Sequence, residues 1–187
     1  MKILLILAHP NKDSLNYAMA KTIEKQKQSQ GHEVQFVDLY HDEHRQDFLK
    51  ADNLSKIPPN SNTTHFQELI LWADNITFVF PYWWGSEPAI LNNWIDNNLL
   101  TGFAFKYDDK GQPSGLLQGK TVTIYTTSGT PSFVYMFTGG YRWLKKRWKK
   151  GIVEFCGMKL DGFHTFGWVT NSKEKATKIL QEVEKIA

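Results

Sequence analysis

Three short segments carry residue types suited to one kind of ligand. Residues 9–16 read His-Pro-Asn-Lys-Asp-Ser-Leu-Asn and open onto an apolar helical pattern. A helix amino end exposes unpaired N–H groups and partial positive charge, so it suits phosphate. Ser14 and Asn16 could add side-chain donors there, and His9 could donate to a phosphate oxygen. Residues 81–88 read Pro-Tyr-Trp-Trp-Gly-Ser-Glu-Pro. Three aromatics in a row at a strand end are costly to expose without a use. Tyr82, Trp83 and Trp84 can offer a face or edge to a planar ring, with local N–H groups reaching its heteroatoms. Residues 126–129, Thr-Thr-Ser-Gly, are small and hydroxyl-rich, so a flat ligand can approach the backbone. Singly, each segment has a plainer reading: Ser14 caps a helix, the aromatics fill a core or a dimer face, and 126–129 is a turn. Jointly they supply a phosphate seat, an aromatic plate and a polar rim, which matches a flavin nucleotide.

The elements that must position these segments follow from periodicity. Residues 3–8 are an unbroken apolar run, the mark of a strand covered on both faces. Leu15, Ala18, Met19, Thr22 and Ile23 recur at helical spacing up to Gly31, and 34–37 is a second strand. Residues 41–64 are a polar excursion, with a short helix expected around 47–52. Helical spacing returns at Phe66, Leu69, Ile70 and Ala73, and strand three spans 76–80. Pro88 opens a helix carrying Ile90, Leu91, Trp94, Ile95 and Leu99. A hairpin or loop is expected over 101–119, strand four over 121–125, a mixed aromatic and basic helix over 137–155, and strand five over 162–166. The last helix opens at Asn171 with Glu174 three residues on, in the manner of a capping box. Alternating strands and helices predict a doubly wound α/β fold with a five-stranded parallel sheet, order 2-1-3-4-5. Its ligands bind beyond the strands' carboxyl ends, where the three segments lie.

The chain has 187 residues, enough for one domain over 1–187, with 41% hydrophobic residues and a net charge of +3 that demands neither nucleic acid nor membrane. The single cysteine, Cys156, rules out an intramolecular disulfide and is expected to be a buried free thiol in a reducing cytoplasm. The apolar start is too short for a signal peptide and no segment is long enough to span a membrane. The basic run 142–150 could touch nucleic acid, anionic lipid or the phosphate of NADPH, but reads first as a solvated helix face with Trp143 and Trp148 buried. His41, Asp42, Glu43, His44 and Asp47 lack a recognised metal-ligand spacing, so no metal site is expected. Gly119-Lys120-Thr121 is rejected as a phosphate loop because position 114 is Ser where the first Gly is required, and the residues enter a strand.

These motifs resemble the NAD(P)H dehydrogenase (quinone) family, the flavodoxin-like quinone reductases and modulators of drug activity, over nearly the whole chain. The resemblance is carried by His9 with 14–18, by 80–84 followed by 88–91 and Trp94, by 126–129, and by 155–157. It implies a flavodoxin-like three-layer sandwich and a noncovalent flavin, FAD with FMN as the alternative. By analogy, His9, Ser14, Leu15 and Asn16 hold the phosphate. Pro81, Tyr82, Trp83, Trp84 and Gly85 line the ring, and Thr126, Thr127, Ser128 and Gly129 meet its polar edge. It also implies a homodimer with sites at the subunit interface, and two-electron hydride transfer from NAD(P)H to quinone-like acceptors by a ping-pong scheme. In that scheme, N–H groups of 127–129 would stabilise the reduced ring. Tyr135 is the nearest match to a tyrosine that lies beside the flavin in the family and would donate a hydrogen bond, although its register differs by about one. Gly85 stands where the family often has an aromatic, and Ser128 where it has Gly, so both reshape the acceptor pocket. Two other readings compete: a flavodoxin-like electron carrier, which would have a compact Ser/Thr-Gly loop and an acidic surface, and an accessory subunit regulating a membrane transporter.

Overall fold

The computed structural model describes residues 1–50, 52–53, 57–169 and 172–187. Five parallel strands make the central sheet: β1 (Lys2–Leu7), β2 (Glu33–Asp38), β3 (Asn75–Pro81), β6 (Thr121–Thr127) and β7 (Lys159–Phe166). They lie in the order β2-β1-β3-β6-β7, the expected 2-1-3-4-5 once the short antiparallel hairpin of β4 (Phe105–Tyr107) and β5 (Pro113–Gly115) is set apart. Alternate side chains of β1 separate the two cores. Leu4 and Ile6 pack with Phe66 and Ile70 of α2 (Ser61–Trp72), Leu91 and Trp94 of α3 (Ala89–Asn98), and Trp148. Leu5 and Leu7 pack on the opposite face with Met19 and Ile23 of α1 (Leu15–Ser29) and Val183 of α6 (Lys173–Ile186). A strand buried on both faces has to be apolar throughout, which is why 3–8 reads as it does.

Three expected elements differ. No helix forms over residues 47–50, because α3 claims the backbone there: the Asn97 amide donates to the Asp47 carbonyl (3.1 Å) and Asn93 to the Gln46 carbonyl (2.9 Å). The long helix expected over 137–155 is three pieces. These are α4 (Ser132–Thr138), α5 (Gly140–Lys146) and a π-helical segment, Arg147–Val153. Gly139 breaks the first from the second with φ 78°, a left-handed conformation that glycine takes without strain. Trp148 is fully buried as expected, whereas Trp143 is 69% exposed. For α6, Asn171 lies outside the described residues, and the cap is Ser172, whose hydroxyl accepts from the Lys175 N–H at 3.4 Å. Among the described residues no helix is long and apolar enough to cross a membrane.

Candidate functional site

Parallel pairing brings the ends of β1, β3 and β6 together: Leu7 pairs with Val79, and Pro81 with Thr127. A cavity of about 490 Å³ opens beyond these ends. One wall is the amino end of α1, where Ser14, Leu15 and Asn16 line the cavity with Asn11 and Asp13. Ser14 caps α1, its hydroxyl accepting from the Tyr17 N–H at 3.2 Å. Asn16, 4% exposed, ties that turn to β6 by donating from its amide to the Thr127 hydroxyl at 2.9 Å. His9 also lines the wall. Its Nδ1 lies 3.1 Å from the Asn11 N–H, and when it accepts that hydrogen Nε2 keeps the ring proton. Burial pulls the His9 pKa below its ordinary value, opposed by the Asn11 carbonyl, 3.2 Å from Nδ1, and by the Asp38 charge.

The second wall is Pro81, Tyr82 and Trp83, with the Trp83 ring tilted against His9 at 5.7 Å. Trp84 and Gly85 are not on this wall. They form the tip of a two-residue turn, closed by reciprocal hydrogen bonds between Trp83 and Ser86 (2.9 and 3.0 Å), with φ 53° at Trp84 and 81° at Gly85. Those angles are those of a type I′ turn, which swings the Trp84 side chain fully into solvent.

The third wall is Thr127, Ser128 and Gly129. Thr126 lies behind it, fully buried, its hydroxyl without a hydrogen-bond partner. The Ser128 N–H is already given to the Phe166 carbonyl at 2.9 Å, so of the three N–H groups expected to face a reduced ring this one is not free. The Ser128 hydroxyl donates to the Thr130 carbonyl (2.9 Å) and accepts from the Tyr141 hydroxyl at 2.7 Å. A Cβ at Gly129 would meet nothing within 4 Å, so the protein's own packing does not require glycine there. Tyr135 is not on the cavity wall. Its ring stands edge-on to Tyr82 at 5.0 Å and tilted to Tyr141 at 5.0 Å. Burial raises the pKa of Tyr82 and of Tyr141, and hydrogen bonds to Ser128 and Ser132 partly offset the second.

The model of the flavodoxin-like fold family matches residues 1–187. The chain belongs to that family. A Haemophilus influenzae protein named an uncharacterized NAD(P)H oxidoreductase is 34% identical, with 98% of this chain and 92% of the relative covered. A Mycoplasmoides gallisepticum protein named FMN-dependent NADH:quinone oxidoreductase is 28% identical, over 97% of this chain and 92% of the relative. A crystal structure of a Streptococcus mutans UA159 protein superposes with a TM-score of 0.83 at 33% identity, covering 100% of this chain and 98% of the other.

This flavodoxin-like chain also builds its cavity from residues that the motifs did not point to. Val169, Ser172, Lys173, Ala176 and Leu180 close the side opposite α1. Two Ser-capped helix amino ends, of α1 and α6, thus face one cavity, and Lys173 adds an ammonium. Ala176 and Leu180 were legible only as the apolar stripe of a surface helix. The contact requires β7 to deliver α6 beside α1, which is a tertiary fact. Among the described residues no three His, Cys, Asp or Glu side chains gather as a metal site; His41 and His44 turn instead to Asp38 and Asp42 at 2.9 and 3.0 Å.

Proposed function

We infer that this chain is a flavin-dependent NAD(P)H:quinone oxidoreductase, catalysing two-electron hydride transfer from NAD(P)H to quinone-like acceptors. The observation that carries the reading is the junction, in one cavity, of a Ser-capped helix amino end, an indole wall and a backbone face left open at Gly129. These are the phosphate, ring and edge contacts of a flavin nucleotide. The printed names of the relatives, oxidoreductases of NAD(P)H and quinone, support the same chemistry.

In this reading His9 (through Nε2), Ser14, Leu15 and Asn16 hold the phosphate. Pro81, Tyr82 and Trp83 line the ring, and Thr127, Ser128 and Gly129 meet its polar edge, with Thr126 buried behind them and Trp84 and Gly85 turned away. The cofactor is FAD or FMN: the continuation of the wall to Ser172 and Lys173 leaves room for the second phosphate of FAD, while the printed name of an FMN-dependent relative supports FMN. The flavin supplies the redox chemistry. The chain's residues orient the nicotinamide and the acceptor in turn against the same face, so initial-rate lines at varied acceptor should run parallel.

A single flavin-binding domain over 1–187 is the simplest organisation. A homodimer is supported by α4, a helix with no buried residue that turns Phe133 (59% exposed), Met136 (72%) and Phe137 (90%) outward. Apolar surface of that kind calls for a cover. A cytoplasmic setting fits the free thiol and the supply of reduced nicotinamide.

The test is the visible spectrum of the purified protein, the mass of the released cofactor, bleaching by NAD(P)H and recovery of colour with a quinone. A flavin spectrum that bleaches and returns is expected. A colourless protein that also refuses added FAD and FMN would overturn the proposal.

A further inference from the structure

Gly85 takes its left-handed φ freely, but Trp84 of the same turn is held in a conformation that its own side chain resists. A left-handed φ at a tryptophan is strained, and such strain persists only where the surroundings impose it. At the foot of the turn stands Glu87, whose side chain is fully buried. One carboxylate oxygen, Oε1, lies 2.6 Å from the Arg147 guanidinium. The other, Oε2, accepts from the Ser86 hydroxyl at 3.0 Å and from the Trp148 indole N–H at 3.2 Å. Trp148 is itself fully buried, stacked on Phe80 of β3 at 5.4 Å, and Arg147 hydrogen-bonds Asn92 of α3 at 3.0 Å. Burying a carboxylate here adds little net stability over a well-packed apolar pair. Its three contacts, however, join the turn to the π-helical segment and to the sheet at one point.

We propose that Glu87, clamped by Arg147 and Trp148, is a positioning residue: it fixes the Trp83–Gly85 turn so that Trp83 stands at the cavity wall. The consequence for turnover rests on the flavin reading above. The clamp itself is a property of the apoprotein and can be tested without cofactor.

Three variants separate positioning from plain stability. Arg147→Met strands a buried carboxylate and lowers the melting temperature sharply. Glu87→Met/Arg147→Met removes both charges, so the melting temperature recovers most of that loss. Amide exchange in the apoprotein, read on a peptide covering 81–88, should nonetheless be about ten- to a hundredfold faster in the double variant than in the wild type. Exchange in a peptide covering 121–127 should be unchanged. In the loaded enzyme, KM for NAD(P)H and for quinone should rise about as much, with Arg147→Lys near wild type because it keeps the ion pair. If 81–88 stays as protected as in the wild type, or its exchange follows the melting temperature in every variant, the clamp is structural only and the proposal fails. Should the double variant not fold, isosteric Glu87→Gln decides by the same two exchange rates. A protein that shows the exchange result but never binds flavin would retire the functional reading and leave the clamp standing.

Discussion

Asn16 and Thr127 lie 111 residues apart and meet as a fully buried amide–hydroxyl pair between the first turn of α1 and the end of β6. Asn16→Ala leaves the Thr127 hydroxyl unpaired, and a loss of about 1–3 kcal/mol is expected in thermal unfolding of the apoprotein. Flavin affinity, measured by fluorescence quenching, should weaken with it. Tyr135 and Tyr141 are the second residue-scale test. The hydroxyl of Tyr141 reaches the Ser128 side chain on the cavity wall, while Tyr135 stands behind Tyr82. Stopped-flow reduction and reoxidation should therefore be unchanged by Tyr135→Phe and slowed by Tyr141→Phe. The reverse outcome would restore to Tyr135 the donor role that the family resemblance implies. The family resemblance points to Tyr135 through its place in the chain. What separates the two tyrosines is the break at Gly139, which turns Tyr141 back toward Ser128, and that break depends on one left-handed residue.

Among the elements, the sheet was the most legible part, because strands buried on both faces leave apolar runs such as 3–8 and, broken only by Thr77, 76–80. The amino end of α1 was legible for a similar reason, since Ser14 has few other uses just before an apolar helical pattern. A helix over 47–52 is what local pattern suggests, but residues 47–50 form none, and the Gln46 and Asp47 carbonyls accept from asparagines of α3, partners that no local pattern reveals. Trp84 was placed on the cavity wall by its neighbours' company. The I′ turn, set by Gly85, carries it away. The β4–β5 hairpin provides a sharp test at this scale. A Cβ on Gly115 would lie 2.0 Å from the Gly157 backbone nitrogen and 2.2 Å from the Cys156 carbonyl carbon. Gly115→Ala must push two backbones apart, so a cost at or above the usual overpacking range of about 1–3 kcal/mol is expected in chemical denaturation. Gly111→Ala, where a Cβ meets nothing within 4 Å, should cost only the strain of its φ of 75°.

At the scale of the whole molecule, acidification through the histidine range has a definite sign for two half-buried rings. Burial lowers the pKa of His164, stacked on Tyr125 at 4.8 Å, and of His9, each below the ordinary 6.5. Below pH 6.5 the unfolded chain takes up these protons more readily than the folded one. Stability from these groups is thus fully present above 6.5 and declines as the pH falls through and below it. The melting temperature of the apoprotein should drop on that side, and His164→Gln should flatten the drop. A melting temperature that rises on acidification would contradict the burial of both rings.

Cys156 is the only cysteine of the chain, is 2% exposed, and burial pushes its thiol up to about 12. Quinones are electrophiles that arylate thiolates, so an enzyme that meets them at every turnover risks inactivation by its own substrate. Here the one sulfur able to react is kept protonated and out of reach behind the hairpin.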